Sequence, residues 1–261
     1  MKQVAVFGAG AMGTALIAAA KKVNPHLLFL VFDKDESKLN LTVTNLNVKA
    51  GNKEDLSKCE LILLAVKPQD VSTVLTEIND LLDNSQTVLS VAAGISLDKL
   101  KSLLSNAVPV RCMPNTPALI GLGFSTISVL PETADIHLSR AQELLSAAGK
   151  TLQIEEELQN SFTAIHGSGP AYVYLLIEAM ISAAIKEGIS EQAATDAVIQ
   201  TVLGAAQLAT QTGESARSLR ERVTSPGGTT QAALNELNSG NFSELIAKAV
   251  KAARQRASEL G

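Results

Sequence analysis

The chain has 261 residues, and 46% of them are hydrophobic, which is enough to build a sizeable core. Lysine and arginine number 22 against 26 aspartates and glutamates, so the chain lacks the basic excess that binding to nucleic acid requires. Cys59 and Cys112 form no CxxC metal pair and are too few for a disulfide framework. We therefore expect a protein of a reducing compartment, the cytoplasm.

The N-terminal segment has the outline of a secretory signal, because residues 4–20 carry no charge and Lys2 precedes them. Gly8, Gly10 and Gly13 interrupt this segment at the spacing of a strand followed by a helix. We therefore expect it to belong to a folded domain. No run reaches the ~18 apolar residues that a membrane span needs, so we expect no membrane association.

Short apolar runs alternate with helical segments up to residue 157. We predict strands at residues 4–7, 27–32, 61–66, 87–91 and 108–113. We predict helices between them at residues 12–22, 37–46, 71–82 and 97–104. This alternation favours an α/β Rossmann-type doubly wound domain with a parallel sheet. Strands at residues 124–130 and 151–154, around a helix at 133–148, are expected to extend the sheet at its edge.

Beyond residue 157 the strand pattern stops and helices follow one another. They are predicted at residues 171–186, 191–210, 216–223, 229–238 and 244–258. The segment 171–185 is apolar on nearly every side, with Glu178 as its one charge, and such a helix must be buried. We expect a homodimer through this all-α domain; the alternative is that these helices pack on the first domain. The predicted domains are residues 1–157 and residues 158–261.

Residues 8–13, with the sequence Gly-Ala-Gly-Ala-Met-Gly, follow the first strand and open the first helix. In this context Gly8 permits a tight turn, Gly10 lets the backbone approach a pyrophosphate, and Gly13 allows close packing of helix on strand. Asp33 ends the second strand, where a carboxylate can accept hydrogen bonds from ribose hydroxyls. The pattern predicts a dinucleotide site; the alternative is a tight turn without a ligand.

Other predicted strands end in segments that suit the same crevice, because ligands of open α/β sheets lie beyond the carboxyl ends of the strands. Lys67 and Pro68 follow one strand, and the small residues Ala92 and Ala93 follow the next. The segment 111–117 ends a further strand, with an Asn-Thr pair between two prolines. We expect these strand ends to meet at one edge of the sheet.

Residues 223–230 read Val-Thr-Ser-Pro-Gly-Gly-Thr-Thr. Ser225 is expected to cap a helix, with Pro226 at its first position. The two glycines that follow weaken a first helical turn by about 1 kcal/mol each relative to alanine. Bare first-turn amides are suited to an anion such as a carboxylate, and the two threonines add neutral hydrogen-bonding groups beside it.

Taken together, these segments resemble the pyrroline-5-carboxylate reductase family over nearly the whole chain. The matching segments are residues 8–13, 65–69, 92–94, 111–117, 167–172 and 223–230. The resemblance implies a Rossmann domain and an interlaced helical dimer, often gathered into decamers. It also implies hydride transfer from NAD(P)H to the C=N carbon of 1-pyrroline-5-carboxylate, which gives L-proline.

The resemblance also implies site residues. A cofactor site is carried over to Gly8, Ala9, Gly10, Ala11, Met12, Gly13, Lys34, Asn52, Ala65, Val66, Lys67, Pro68, Ala92 and Ala93. A substrate site is carried over to Ser225, Gly228, Thr229 and Thr230, with Thr230 at the imine nitrogen. The sequence contains no evident metal-ligand cluster, so we expect no metal, and positioning is the main requirement of hydride transfer.

Some features leave alternatives open. His166 stands before the Gly-Ser-Gly-Pro segment. Its role is either that of a proton donor or that of a structural residue. Asp33 favours NADH, whereas Lys34 can pair with the 2′-phosphate of NADPH, so we expect NADPH to be preferred or both cofactors to be used. Alternative functions are a related imine or 2-hydroxy-acid reductase and a non-catalytic dinucleotide-binding scaffold.

Overall fold

The computed structural model describes residues 1–259 and divides into two compact units. The first comprises Met1–Ser168 together with the end of the last helix from Ala253, and the second comprises Gly169–Ala252. The first unit extends past residue 157 because Gln159 is fully buried in it. The Gln159 side chain donates to the hydroxyl of Ser128 and accepts from that of Thr126.

The first unit is built on one eight-stranded sheet, which confirms the predicted Rossmann-type class. Its strands are β1 (Gln3–Phe7), β2 (Leu28–Phe32), β3 (Lys49–Ala50), β4 (Leu61–Leu64), β5 (Thr87–Ser90), β6 (Val108–Met113), β7 (Gly123–Val129) and β8 (Gly149–Gln153). They follow the order β3-β2-β1-β4-β5-β6-β7-β8. All neighbours pair in parallel except β6 and β7, so the carboxyl ends of the five predicted strands β1, β2, β4, β5 and β6 meet at one edge, together with that of β3. The two-residue strand β3 was not predicted.

Helices cover both faces of the sheet. They are α1 (Ala11–Val23), α2 (Glu36–Leu46), α3 (Pro68–Ile78), α4 (Leu97–Leu103) and α5 (Asp135–Ser146). Because successive strand residues point to opposite faces, Val4 and Val6 join a core with α1, whereas Ala5 and Phe7 join a second core with α3. A sheet covered on both faces explains why the strands read as continuous apolar runs.

The two cysteines lie on opposite faces of this sheet. Cys112 belongs to the core that contains α1, and Cys59 belongs to the core that contains α3. Both are free and buried. Burial raises the pKa of the Cys59 thiol to about 11 and also raises that of Cys112. Both side chains are therefore protonated, unreactive members of the core.

Helices continue to the end of the described chain. They are α6 (Gln159–Phe162), α7 (Gly169–Lys186), α8 (Glu191–Thr212), α9 (Ala216–Arg222), α10 (Thr229–Ser239) and α11 (Phe242–Glu259). A π-helical turn, Thr163–Gly167, joins α6 to α7. Within the second unit α7 packs against α8, where Ala194 and Val198 are buried. The all-α character of this half was predicted.

The apolar helix α7 is not covered within the described chain. No residue of α7 is buried, and Tyr174 and Leu175 are 58% and 66% exposed. The helical stretch Glu156–Lys186 is long and apolar enough, by length and composition, to cross a membrane. The expectation from the sequence concerned uninterrupted apolar runs, whereas the mean hydropathy of a long window tolerates isolated charges such as Glu178.

An ion pair fixes the start of this stretch to the sheet. The Nη1 atom of Arg111, on β6, lies 2.8 Å from Oε1 of Glu156, and their side chains are 11% and 26% exposed. The same oxygen accepts a hydrogen bond of 2.7 Å from the amide of Leu97, at the start of α4. Glu156 thus joins β6, α4 and the chain that leads to the helices.

We expect Glu156→Ala to lower the free energy of unfolding by about 1–3 kcal/mol, because a nearly buried arginine would lose its partner and an amide its acceptor. Glu157→Ala is the matched control, since the neighbouring side chain is exposed, and it should change stability by less than about 0.5 kcal/mol. Urea denaturation followed by circular dichroism measures both. Equal stability of the two variants would contradict this role of Glu156.

Candidate active site

The glycine loop between β1 and α1 is shaped by close backbone contacts. Gly8 has a φ of +108°, and a Cβ atom there would lie 2.5 Å from the carbonyl oxygen of Ala65. A Cβ atom at Gly13 would lie 2.1 Å from the carbonyl oxygen of Gly8. Both positions require glycine for steric reasons, as the motif predicts.

Gly10 differs from the other two glycines because the space beside it is open. A Cβ atom there would meet nothing within 4 Å. Gly10 is also the N-cap of α1, and no side chain caps the first turn or places an acidic group in it. Uncapped amides at a positive helix end, beside an open backbone, fit the pyrophosphate of a dinucleotide.

Asp33, at the end of β2, has a structural task that the sequence did not indicate. Its Oδ2 atom accepts a hydrogen bond of 2.7 Å from the amide of Ala9, inside the glycine loop. Its Oδ1 atom accepts one of 2.9 Å from the amide of Asp35. The carboxylate therefore braces the glycine loop against the end of β2, in addition to any contact with a ribose.

A cavity of about 630 Å³ opens beside this loop, between the ends of β2 and β4 and the face of α3. Seven of the predicted cofactor residues line it: Gly8, Gly10, Asp33, Lys34, Ala65, Val66 and Lys67. Among the described residues, the other eight predicted cofactor residues do not line the cavity: Ala9, Ala11, Met12, Gly13, Asn52, Pro68, Ala92 and Ala93. The cavity has room for the adenosine half of a dinucleotide.

Three of the predicted cofactor residues outside the cavity wall, Pro68, Asn52 and Ala92, have defined structural positions. Pro68 is the first residue of α3 and Lys67 is its N-cap. Asn52 caps the short 3₁₀ helix Lys53–Lys58 by accepting a hydrogen bond of 3.3 Å from the amide of Glu54. Ala92 is buried just after β5.

Sequence reasoning missed part of the wall. Gly51 and Lys53 reach the cavity because β3 pairs with β2, and Asp70, Thr73 and Glu77 reach it from α3. The latter three follow one another at helical spacing, i, i+3 and i+7, so they share one face of α3. That spacing, directly after the Lys-Pro segment, is the signal that could have found them.

The Ser-Pro-Gly-Gly segment forms a turn before α10 rather than the first helical turn. The amide of Gly228 donates to the carbonyl of Ser225, and Gly227 between them has a φ of +69°. Proline followed by a left-handed glycine is typical of a type II turn. The expectation that Ser225 caps the helix and Pro226 begins it was therefore wrong; the N-cap is Gly228.

The two glycines of this segment have separate structural reasons. Gly227 needs a left-handed backbone, and a Cβ atom at Gly228 would lie 2.4 Å from Oγ of Ser225. No side chain caps the first turn of α10, which leaves the amides of that turn open to an anion. The two glycines expected to form the turn lie before it, and their own amides are bonded to Ser225 and Gln231. The side chain of Gln231, which was not predicted, accepts a hydrogen bond of 2.6 Å from the amide of Gly227 and fixes the turn.

Both ring nitrogens of His166 lie within hydrogen-bonding distance of a backbone carbonyl oxygen. Nδ1 lies 2.7 Å from the carbonyl oxygen of Phe162, and Nε2 lies 2.7 Å from that of Met113, at the end of β6. Asn115 donates to the carbonyl of His166 and accepts from the amide of Phe124. The imidazole fixes the π-helical turn to the end of β6, and this geometry favours the structural role over that of a proton donor.

Comparison with family profiles gives two matches. The profile described as pyrroline-5-carboxylate reductase dimerisation matches residues 156–260. The profile described as NADP oxidoreductase, coenzyme F420-dependent, matches residues 3–94. The first covers the helical half of the chain, and the second covers the glycine loop and the cavity.

Relatives match over the full length. The pyrroline-5-carboxylate reductase of Haemophilus influenzae is 38% identical, over 99% of this chain and 97% of the relative. That of Pseudomonas aeruginosa is 35% identical, over 99% and 96%. The structure of a pyrroline-5-carboxylate reductase from Coxiella burnetii matches with a TM-score of 0.93, at 31% identity over 99% and 98% of the two chains. That of Plasmodium falciparum with NADP bound has a TM-score of 0.85, at 28% identity over the same shares.

The Rossmann-type unit with its open glycine loop and uncapped α1 belongs to an NADP-dependent oxidoreductase. Identities above 30% over nearly the whole length narrow the class further. The chain belongs to the pyrroline-5-carboxylate reductase family. It is therefore an enzyme, and the alternative of a non-catalytic scaffold no longer applies.

Substitutions of Gly10 and Gly13 give a matched pair of tests. Gly10→Ala should leave the thermal midpoint of unfolding unchanged within about 2 °C but weaken NADPH binding at least about tenfold, because its methyl group occupies the space open to the pyrophosphate. Gly13→Ala should lower the midpoint by several degrees, because its methyl group meets the Gly8 carbonyl. Differential scanning fluorimetry and NADPH fluorescence titration measure both. The same outcome for both variants would contradict these separate roles.

Proposed function

We propose that this chain reduces 1-pyrroline-5-carboxylate to L-proline with a hydride from NAD(P)H, the last step of proline biosynthesis. The observation that carries the proposal is the uncapped first turn of α10, in a chain with full-length relatives that are pyrroline-5-carboxylate reductases. The substrate is a small ring with a carboxylate and an imine. It needs an anion site and one hydrogen-bonding group close to that site, and residues 225–230 offer both.

We assign the dinucleotide to residues 1–157 and the substrate to residues 158–261, which also carry the dimerisation region. The amides at the start of α1 and the bare backbone at Gly10 hold the pyrophosphate, and Asp33 keeps the loop in place. Lys34 and Asn52 belong to the adenosine end, with Ala92 and Ala93 at the nicotinamide end. When bound, the reduced nicotinamide supplies the hydride for the imine carbon.

Substrate recognition falls to Ser225, Gly228, Thr229 and Thr230. The first-turn amides of α10 bind the carboxylate, favoured by the positive end of the helix. The hydroxyl of Thr230 forms a hydrogen bond at the imine nitrogen and orients the ring for hydride attack. A protonated imine becomes a neutral secondary amine when it accepts a hydride, so this assignment requires no acid from the protein. Positioning is then the main catalytic contribution of the chain.

For the cofactor we propose that NADPH is preferred modestly, with NADH also used. Asp33 places a negative charge at the end of β2, which disfavours a 2′-phosphate, whereas Lys34 beside it favours one. An exposed ion pair between Lys34 and the 2′-phosphate is worth about 0–1 kcal/mol. The net preference for NADPH therefore stays within about tenfold.

For the assembly we propose a homodimer, with five such dimers in a decamer, located in the cytoplasm. The exposed apolar side chains of α7 support a protein partner, because the profile that covers this helix describes dimerisation. This assignment has the exposed apolar side chains of α7, within the stretch Glu156–Lys186, covered by a second subunit rather than by a membrane.

The catalytic assignment is tested by Thr230→Ala, with proline formation measured at saturating NADPH. Loss of about 1.5–3 kcal/mol of hydrogen bonding at the reacting group should lower kcat/KM by about 10–200-fold, with the Kd of NADPH unchanged. Thr224→Ala is the control, since that hydroxyl donates to the carbonyl of Arg220, and it should cost less than about threefold. A folded wild-type protein without proline-forming activity would contradict the proposed function itself.

The interface is tested by Leu176→Asp, which adds a charge to α7. The variant should sediment as a monomer or aggregate and lose activity, because a charge in an apolar interface costs several kcal/mol. Leu81→Asp is a matched control, since Leu81 and Leu176 are 43% and 42% exposed and Leu81 belongs to the first compact unit, after α3. A wild-type chain that is active as a monomer would contradict the proposed interface.

A further inference from the structure

The wall of the cavity beside the glycine loop carries seven charged side chains. Four lysines line it, Lys34, Lys38, Lys53 and Lys67, and three carboxylates face the same space, Asp33, Asp70 and Glu77. Two of these carboxylates, Asp70 and Glu77, stand on α3, two turns apart on one face. The cavity is therefore bordered on one side by an acidic helix face.

Two of the lysines are paired with this helix face. Nζ of Lys34 lies 3.0 Å from Oδ1 of Asp70, and Nζ of Lys53 lies 2.8 Å from Oε2 of Glu77. The Lys53 and Glu77 side chains are 50% and 54% exposed, so both have access to solvent and to a ligand in the cavity. Exposed pairs of this kind exchange partners at little cost.

Lys53 is well placed for a group at the end of β2. The strand β3 pairs with β2 through Leu30 and Val31, and the amide of Gly51 donates to the carbonyl of Val31. Lys53 follows two residues later, on the side of β2 that faces away from β1. The end of β2 is where a dinucleotide fold receives the ribose that carries the 2′-phosphate.

We propose that Glu77 is a specificity-determining residue: by pairing with Lys53, it weakens the recognition of the 2′-phosphate and keeps NADH usable. This proposal rests on the proposed function, since it assumes that the cavity holds the adenosine half of NAD(P)H. A phosphate at the end of β2 would compete with Glu77 for Lys53, and the carboxylate of Glu77 would repel that phosphate. Both effects act on NADPH and leave NADH nearly untouched.

The alternative is that Lys53 and Glu77 form an ordinary surface pair without influence on the cofactor. The pair between Lys101 and Glu132 provides the comparison, because it is similarly exposed, at 58% and 62%, and similarly close, at 2.6 Å. It lies outside the cavity wall. Glu132→Gln therefore makes the same change in net charge, in the same kind of pair, at a different place.

The experiment measures the Kd values of NADPH and NADH by nicotinamide fluorescence on the full chain, without substrate. Competition by adenosine 2′,5′-bisphosphate and by 5′-AMP repeats the comparison for the adenosine half alone. Glu77→Gln should raise the ratio of Kd for NADH to Kd for NADPH about three- to tenfold, and Glu132→Gln should change it less than about twofold. Lys53→Gln should lower the ratio by about as much as Glu77→Gln raises it.

The double variant Lys53→Gln with Glu77→Gln tests whether Glu77 acts through Lys53. The gain from Glu77→Gln should fall to half or less of its value in the presence of Lys53. A full gain in the double variant, an unchanged ratio in Glu77→Gln, or an equal shift in Glu132→Gln would each overturn the proposal. Because the Kd ratio requires no turnover, a failure of proline formation is recognised separately from a failure of this inference.

Discussion

The cofactor side of the candidate site depends on the contact between the glycine loop and the end of β4. Gly8 and Gly13 approach Ala65 and each other so closely that neither position has room for a Cβ atom. The contact brings Gly10, the N-cap of α1, to the carboxyl edge of the sheet, where it lines the cavity. Without it, the cavity would lose the wall that suits an anion. The polar interactions of the cofactor site thus depend on the steric fit of the backbone at Gly8, Gly13 and Ala65.

Asp33 adds electrostatic support to this steric arrangement. Its carboxylate accepts amide hydrogen bonds from the glycine loop and from the start of the segment that leads to α2, so it holds two walls of the cavity together. A residue of this kind is constrained by the fold as well as by the ligand. Glu77 is less constrained by the fold, because within the described residues its side chain bonds to Lys53 and to no backbone amide. Such a residue can change the cofactor preference with less effect on the fold.

The fold was largely predictable because the alternation of apolar strands and helices is a local property of the sequence. The strand β3 escaped prediction because its two residues form a strand only through pairing with β2. Lys53 and Glu77 escaped for a related reason, since 24 positions separate them and only the sheet register and the face of α3 bring them together. The turn at Ser225 was mistaken for a helix start because serine followed by proline suits both structures. The left-handed backbone of Gly227 decides between them, and the three-dimensional structure was needed to see it.

The labelling of the two buried cysteines can be used to follow the local opening of each hydrophobic core. Each thiol is sealed within a different hydrophobic layer, one above and one below the sheet. With its pKa raised to about 11, Cys59 is almost entirely in the unreactive thiol form at neutral pH, and Cys112 is equally protected by burial. Alkylation can therefore proceed only when the corresponding layer opens. The labelling rates of the two positions would thus distinguish the loosening of one face of the sheet from the loosening of the other, without any foreign probe.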